Sequence, residues 1–62
     1  MTIKDRRAEL HMTQTALAEA AGVNLRQIQK IESGEIQIGN VTLRNAARIA
    51  EALEIPLESL LE

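Results

Sequence analysis

The chain contains no phenylalanine, tyrosine, tryptophan or cysteine, and it holds one proline, three glycines and one histidine. Each scarcity narrows what the molecule can be. Without cysteine there is no disulfide framework and no thiolate metal site, and His11 alone builds no metal centre. Without aromatic rings the core has to come from Leu, Ile, Val, Ala and Met. No apolar run approaches the roughly 20 residues of a membrane span, and residues 1–7 lack the apolar stretch of a secretory leader. A cytoplasmic protein with no membrane association is expected. The hydroxyls and carboxylates suggest no nucleophile, base and orienter set. The glycines fall at turns and helix ends rather than in a phosphate loop. No catalytic residue, cofactor or small-molecule ligand is therefore expected.

Sixty-two residues suffice for one domain, residues 1–62. A domain of this size buries only about 60% of the surface its unfolded chain exposes. The net charge of −2 is unevenly spread. Residues 1–34 carry Lys4, Arg6, Arg7, Arg26 and Lys30 against Asp5, Glu9, Glu19 and Glu32, net +1. Residues 35–62 carry Arg44 and Arg48 against Glu35, Glu51, Glu54, Glu58 and Glu62, net −3. Local charge rather than the total governs contact with an anionic partner, and the balance predicts modest non-specific affinity for one.

Periodicity and end signals predict an all-α chain of five short helices. The first covers residues 2–10, with Ile3, Arg7 and Leu10 on one face. The second starts on Thr13, buries Leu17, Ala20 and Ala21, and stops at Gly22, a residue suited to a left-handed turn. The third starts on Asn24, three residues before Gln27 in the spacing of a capping box, and closes at Gly34. Residues 35–41 alternate Ile36, Gln37, Ile38 and are expected as an extended loop with the isoleucines tucked under the domain. Thr42 starts the fourth helix, with Leu43, Ala47, Ala50 and Leu53 inward and Arg44, Asn45 and Arg48 outward. Pro56 suits the start of a fifth, which carries Leu57, Leu60 and Leu61.

The third helix carries the functional argument. Its interior apolar positions are Ile28 and Ile31, a narrow stripe, and at about 100° per residue Arg26, Gln29 and Lys30 lie away from it. Such a helix is mostly displayed. Gly22, Val23 and Asn24 alone separate it from the second helix, which makes a sharp, angled pair with Val23 plugging the gap. A displayed second helix with long polar side chains near its start matches docking in a DNA major groove, which is about 12 Å wide.

Thr13-Gln14, Leu17-Ala18, Gly22-Val23, Ile28 and Ile31-Glu32 followed by Gly34 make residues 12–34 closely resemble the phage repressor and Cro type of helix-turn-helix, the XRE family. Arg7 before this run, and Ala52-Leu53 with residues 56–61 after it, extend the likeness over essentially the whole chain. The resemblance implies a compact five-helix bundle of the lambda-repressor-like DNA-binding type, helices two and three forming the helix-turn-helix over about residues 13–32. It implies base contacts from Leu25, Arg26, Gln29 and Lys30. Phosphate contacts are implied for Thr13, Gln14, Asn24, Asn40, Thr42, Arg44 and Arg7, and a structural ion pair for Arg7 and Glu32. Thr13, Asn24 and Thr42 serve as caps first. Leu25 either touches a thymine methyl or covers the helix start.

Two features depart from the family pattern. His11 and Glu54 stand at turns where glycine is usual, and the loop before the fourth helix is longer than the common form. The function implied is a sequence-specific double-stranded DNA-binding transcriptional regulator, a repressor acting as a homodimer. The alternative is an antitoxin or other protein-binding module of the same fold, its acidic second half meeting a basic partner such as a toxin.

Overall fold

Four short side chains set where the helices begin. In the computed structural model, which describes residues 2–61, the hydroxyls of Thr2, Thr13 and Thr42 accept from the N–H groups of Asp5, Ala16 and Asn45 at 3.1, 3.0 and 3.2 Å. Asn24 Oδ1 accepts from the Arg26 N–H at 2.7 Å. Each bond satisfies a donor that the first turn of a helix leaves unpaired. The helices so started are α1 (Ile3–Glu9), α2 (Gln14–Ala21), α3 (Leu25–Glu32) and α4 (Leu43–Ala52), and α5 (Leu57–Leu61) follows Pro56. A single 3-10 turn, Ile38–Asn40, lies between α3 and α4. There is no strand among the described residues.

Three helices end the same way. Gly22, His11 and Glu54 adopt left-handed φ values of 69°, 55° and 58°. In each case the next N–H reaches back five residues: Val23 to the carbonyl of Ala18, Met12 to Arg7 and Ile55 to Ala50, at 3.0–3.1 Å. This closure satisfies otherwise orphaned carbonyls and favours glycine at the left-handed position. Only α2 has glycine there. Arg6 adds a further tie at the end of α4, donating from Nε to the Leu53 carbonyl at 2.9 Å.

The core is aliphatic. Leu17, Ile28, Ile49 and Leu53 are fully buried, joined by Ile3, Ala18, Ala21, Ala50 and Leu60. Helix α2 is the hub against which both α3 and α4 pack, while α5 closes the far side against α4 and the 3-10 turn. Val23 is half-buried against this core, as a plug between α2 and α3 requires.

Several inward positions differ from the sequence reading. On α2 Ala18 is buried and Ala20 exposed, because α3 and α4 both press on the side centred on Leu17 and Ala21. On α4 the buried stripe is Ala46, Ile49, Ala50 and Leu53, while Leu43 is 74% exposed and Ala47 is exposed too. That stripe is the i, i+3, i+4, i+7 set of one helical face; Leu43 sits at the edge of it in the first turn, beyond the reach of the core. Asn45, expected outward, is half-buried and bonds across to α3. The capping box does not form: Gln27 turns toward α4, and Asn24 caps alone. Residues 35–41 are not extended throughout, since the 3-10 turn intervenes; Ile36 and Ile38 are half-buried. Leu61 is 55% exposed, while Leu57 and Leu60 pack inward. Glu62 lies outside the described residues.

Candidate nucleic-acid interface

Two groups of polar side chains meet at α3, one inside and one outside. The inner group joins three helices. Arg7 of α1 donates to Glu32 of α3 through Nε at 2.8 Å and Nη2 at 3.0 Å, and through Nη1 to the Met12 carbonyl at 2.7 Å. Gln14 of α2 donates from Nε2 to the same carboxylate at 3.2 Å. The Arg7 and Glu32 side chains are 16% and 5% exposed, so this two-pronged pair is largely shielded from water. Burial alone pushes the Glu32 carboxyl up. The hydrogen bonds from Arg7 and Gln14 and the nearby charges of Arg7 and Lys4 outweigh it and hold the group below the usual glutamate range. The bond to Glu32 raises the Arg7 guanidinium against the opposing effect of burial.

The outer group faces away from the core. Asn24, Leu25, Arg26, Gln29 and Lys30 line one open depression along α3, together with Ser33 and Glu35. Arg26 and Gln29 are exposed, and Leu25 and Lys30 half-buried. Among the described residues, no internal hydrogen bond or ion pair engages the charged or amide ends of Arg26, Gln29 and Lys30, although Arg7, Gln14 and Glu32 on the inner side are all engaged. Leu25 packs against the core as well as lining the depression.

The other sequence-selected residues are divided between helix starts. Thr13 and Gln14 open α2. Asn40 ends the 3-10 turn, and Thr42 and Arg44 lie at the start of α4, all three exposed. The Thr13 and Thr42 hydroxyls accept from main-chain N–H groups and so keep an O–H to donate. Asn24 uses its carbonyl oxygen as a cap and keeps its amide N–H groups. Arg7 and Gln14 are the exceptions to this pattern: the Arg7 guanidinium is turned into the α1–α2–α3 junction, and Gln14 commits one amide N–H to Glu32 there. One pair escaped the sequence reading altogether. Asn45 Nδ2 donates to Gln27 Oε1 at 3.3 Å, linking α4 to α3. Their separation of 18 residues carries no local signal.

An all-helical domain in which a left-handed glycine joins a packed helix to a displayed one is a helix-turn-helix domain. The model of the helix-turn-helix family matches residues 3–60, and the chain belongs to that family. It is 39% identical over 64 residues to the cryptic phage CTXphi transcriptional repressor RstR of Vibrio cholerae serotype O1, covering 97% of this chain and 54% of that protein. An uncharacterized HTH-type transcriptional regulator of Sinorhizobium fredii is 42% identical over 53 residues, covering 86% of this chain and 35% of its own length. Another from Sinorhizobium medicae is 37% identical over 60 residues, covering 97% and 41%. The chain thus spans about half the length, or less, of the curated relatives it matches. No helix among the described residues is long and apolar enough to cross a membrane.

Proposed function

We propose that this domain binds double-stranded DNA sequence-specifically and represses transcription, with α3 lying in the major groove. The observation that carries the reading is the outer face of α3, where Arg26, Gln29 and Lys30 lie together with their polar ends uncommitted. Arg26 reads guanine through two parallel N–H donors, the commonest specific contact, and Gln29 suits adenine. Leu25 meets a thymine methyl at the edge of the same surface. Thr13, Gln14, Asn24, Asn40, Thr42 and Arg44 grip phosphates on either side, and they supply affinity without sequence information. Arg7 acts through Glu32 rather than on the phosphate. The repressing sign is supported by the relative RstR, which is named a transcriptional repressor.

A dimer completes the reading. The molecule measures 25 × 22 × 19 Å, and successive major grooves on one face of DNA are about 34 Å apart. Each copy therefore places one α3, and two copies read a pseudo-palindrome.

Selection of bound duplexes from a random pool, with the native chain beside an Arg26→Ala, Gln29→Ala double variant, tests the function. A palindromic consensus that is altered or lost in the variant is the expected result. A folded native chain that enriches no duplex at any salt would overturn it and favour a protein-binding module. Arg44→Ala should weaken binding to all sequences alike and flatten the salt dependence, as loss of a phosphate contact requires. A loss confined to one sequence would remove Arg44 from the phosphate set.

A further inference from the structure

Helices α3 and α4 rest on α2 rather than broadly on each other. Among the described residues one side-chain hydrogen bond joins them directly, from Asn45 Nδ2 to Gln27 Oε1 at 3.3 Å, and both residues are half-buried. Gln27 lies between Arg26, at the base-reading face, and Ile28, the one fully buried residue of α3. Asn45 gives its main-chain N–H to the Thr42 cap at 3.2 Å. Its main chain is thus tied to the start of α4 and its side chain to α3.

We propose that Gln27 and Asn45 form a positioning pair that fixes the spacing between the base-reading face of α3 and the phosphate-gripping start of α4. The inference rests on the DNA-reading function proposed above. Apolar contact is non-directional, so the packing of Ile28, Leu25 and Ile31 sets the depth of α3 better than its rotation about its own axis. A hydrogen bond next to Ile28 is directional and fixes that rotation against α4. Base-edge contacts need this registry, because a small roll of α3 moves the Arg26 donors off a guanine edge while the phosphate contacts at α4 stay put. Neither amide is charged, so the pair contributes nothing to counterion release.

The test measures affinity of the full chain for its selected duplex across a salt series. The variants are Gln27→Ala, Asn45→Ala, both together, and the exchange Gln27→Asn with Asn45→Gln, each checked for helicity by far-UV circular dichroism. Each single change should weaken binding about two- to tenfold, the scale of one hydrogen bond. The double variant should be no weaker than the worse single. The exchange should recover most of the loss, the salt slope should stay native, and preference should relax at the base read by Arg26. Losses that multiply in the double variant, a flattened salt slope, or a folded exchange variant no better than the double would overturn the pair. These outcomes leave the DNA-reading function standing. A native chain that selects no duplex removes that function, and the positioning role with it.

Discussion

Arg7 and Arg26 are the same residue type in opposite circumstances. Arg7 makes three hydrogen bonds at the α1–α2–α3 junction and is mostly shielded, whereas Arg26 is exposed on the outer face of α3 with no internal partner for its guanidinium. The junction settles its polar groups within the fold, and the outer face leaves them for something outside it. Charge and residue type alone do not tell the two apart. Commitment of donors and acceptors does.

The largest expected effect breaks the junction. Glu32→Ala strands a shielded guanidinium, and removing one member of such a pair costs about 3–5 kcal/mol, comparable with the whole stability of a small domain. Urea unfolding followed by far-UV circular dichroism reads this directly. A loss below about 1 kcal/mol would mean that water replaces the carboxylate and that the pair is no more than a surface bridge. The same group predicts the acid behaviour. Because Glu32 titrates below its unfolded value, the bridge stabilises the fold above the usual glutamate range. That contribution is lost progressively as pH falls from the unfolded value through the depressed folded one. Glu32→Gln should remove this acid-dependent component, and an unaltered acid-unfolding profile would locate it elsewhere.

Arg26→Ala should do the opposite. Stability should change by no more than about 0.5 kcal/mol, while discrimination at one base of each half-site falls by about 1–3 kcal/mol. A melting curve paired with competition against single-base variants of the selected duplex separates the two. A clear drop in melting temperature would show that the outer face also supports the fold.

A smaller effect sharpens a second contrast, that among the three matched helix ends. His11→Gly should stabilise the domain by about 1 kcal/mol, because the left-handed conformation at φ 55° penalises a side chain. Gly22→Ala should destabilise it by a similar amount: a Cβ there meets no neighbouring atom, so the cost comes from backbone conformation alone. Equal stabilities for His11→Gly and the native chain would show that the imidazole compensates for the strain.

Much of the fold was legible because its signals are local. Thr13, Asn24 and Thr42 mark helix starts by their own chemistry, and Gly22 marks a stop by its conformational freedom. His11 and Glu54 were readable as turns where glycine is usual, and only the structure shows that both adopt the left-handed conformation. The errors arose where a choice depended on distant neighbours. Ala18 and Ala20 are equally small and equally helical, and only the arrival of α3 and α4 on one side decides which is buried. Leu43 reads as core from its hydrophobicity, yet no element reaches it. The Gln27–Asn45 bond needed both helices in place before it existed. Arg26 and Gln29 were legible as displayed because they lie away from the narrow stripe of Ile28 and Ile31, whereas Gln27 and Glu32 turn inward to partners on other helices.

The alanines of the two central helices set how far the domain can vary. Ala18 and Ala21 of α2 and Ala46 and Ala50 of α4 are each no more than 5% exposed, and these helices pack against one another. Their short side chains act as spacers of fixed thickness. A larger residue at any of them has to displace its neighbours, since a dense interior absorbs even one added methylene poorly. Helix α3 rides on α2, so such a shift re-aims the outer face as well. The outer face is therefore free to change one side chain at a time without disturbing the fold, while the buried alanines of α2 and α4 tolerate almost no drift in volume.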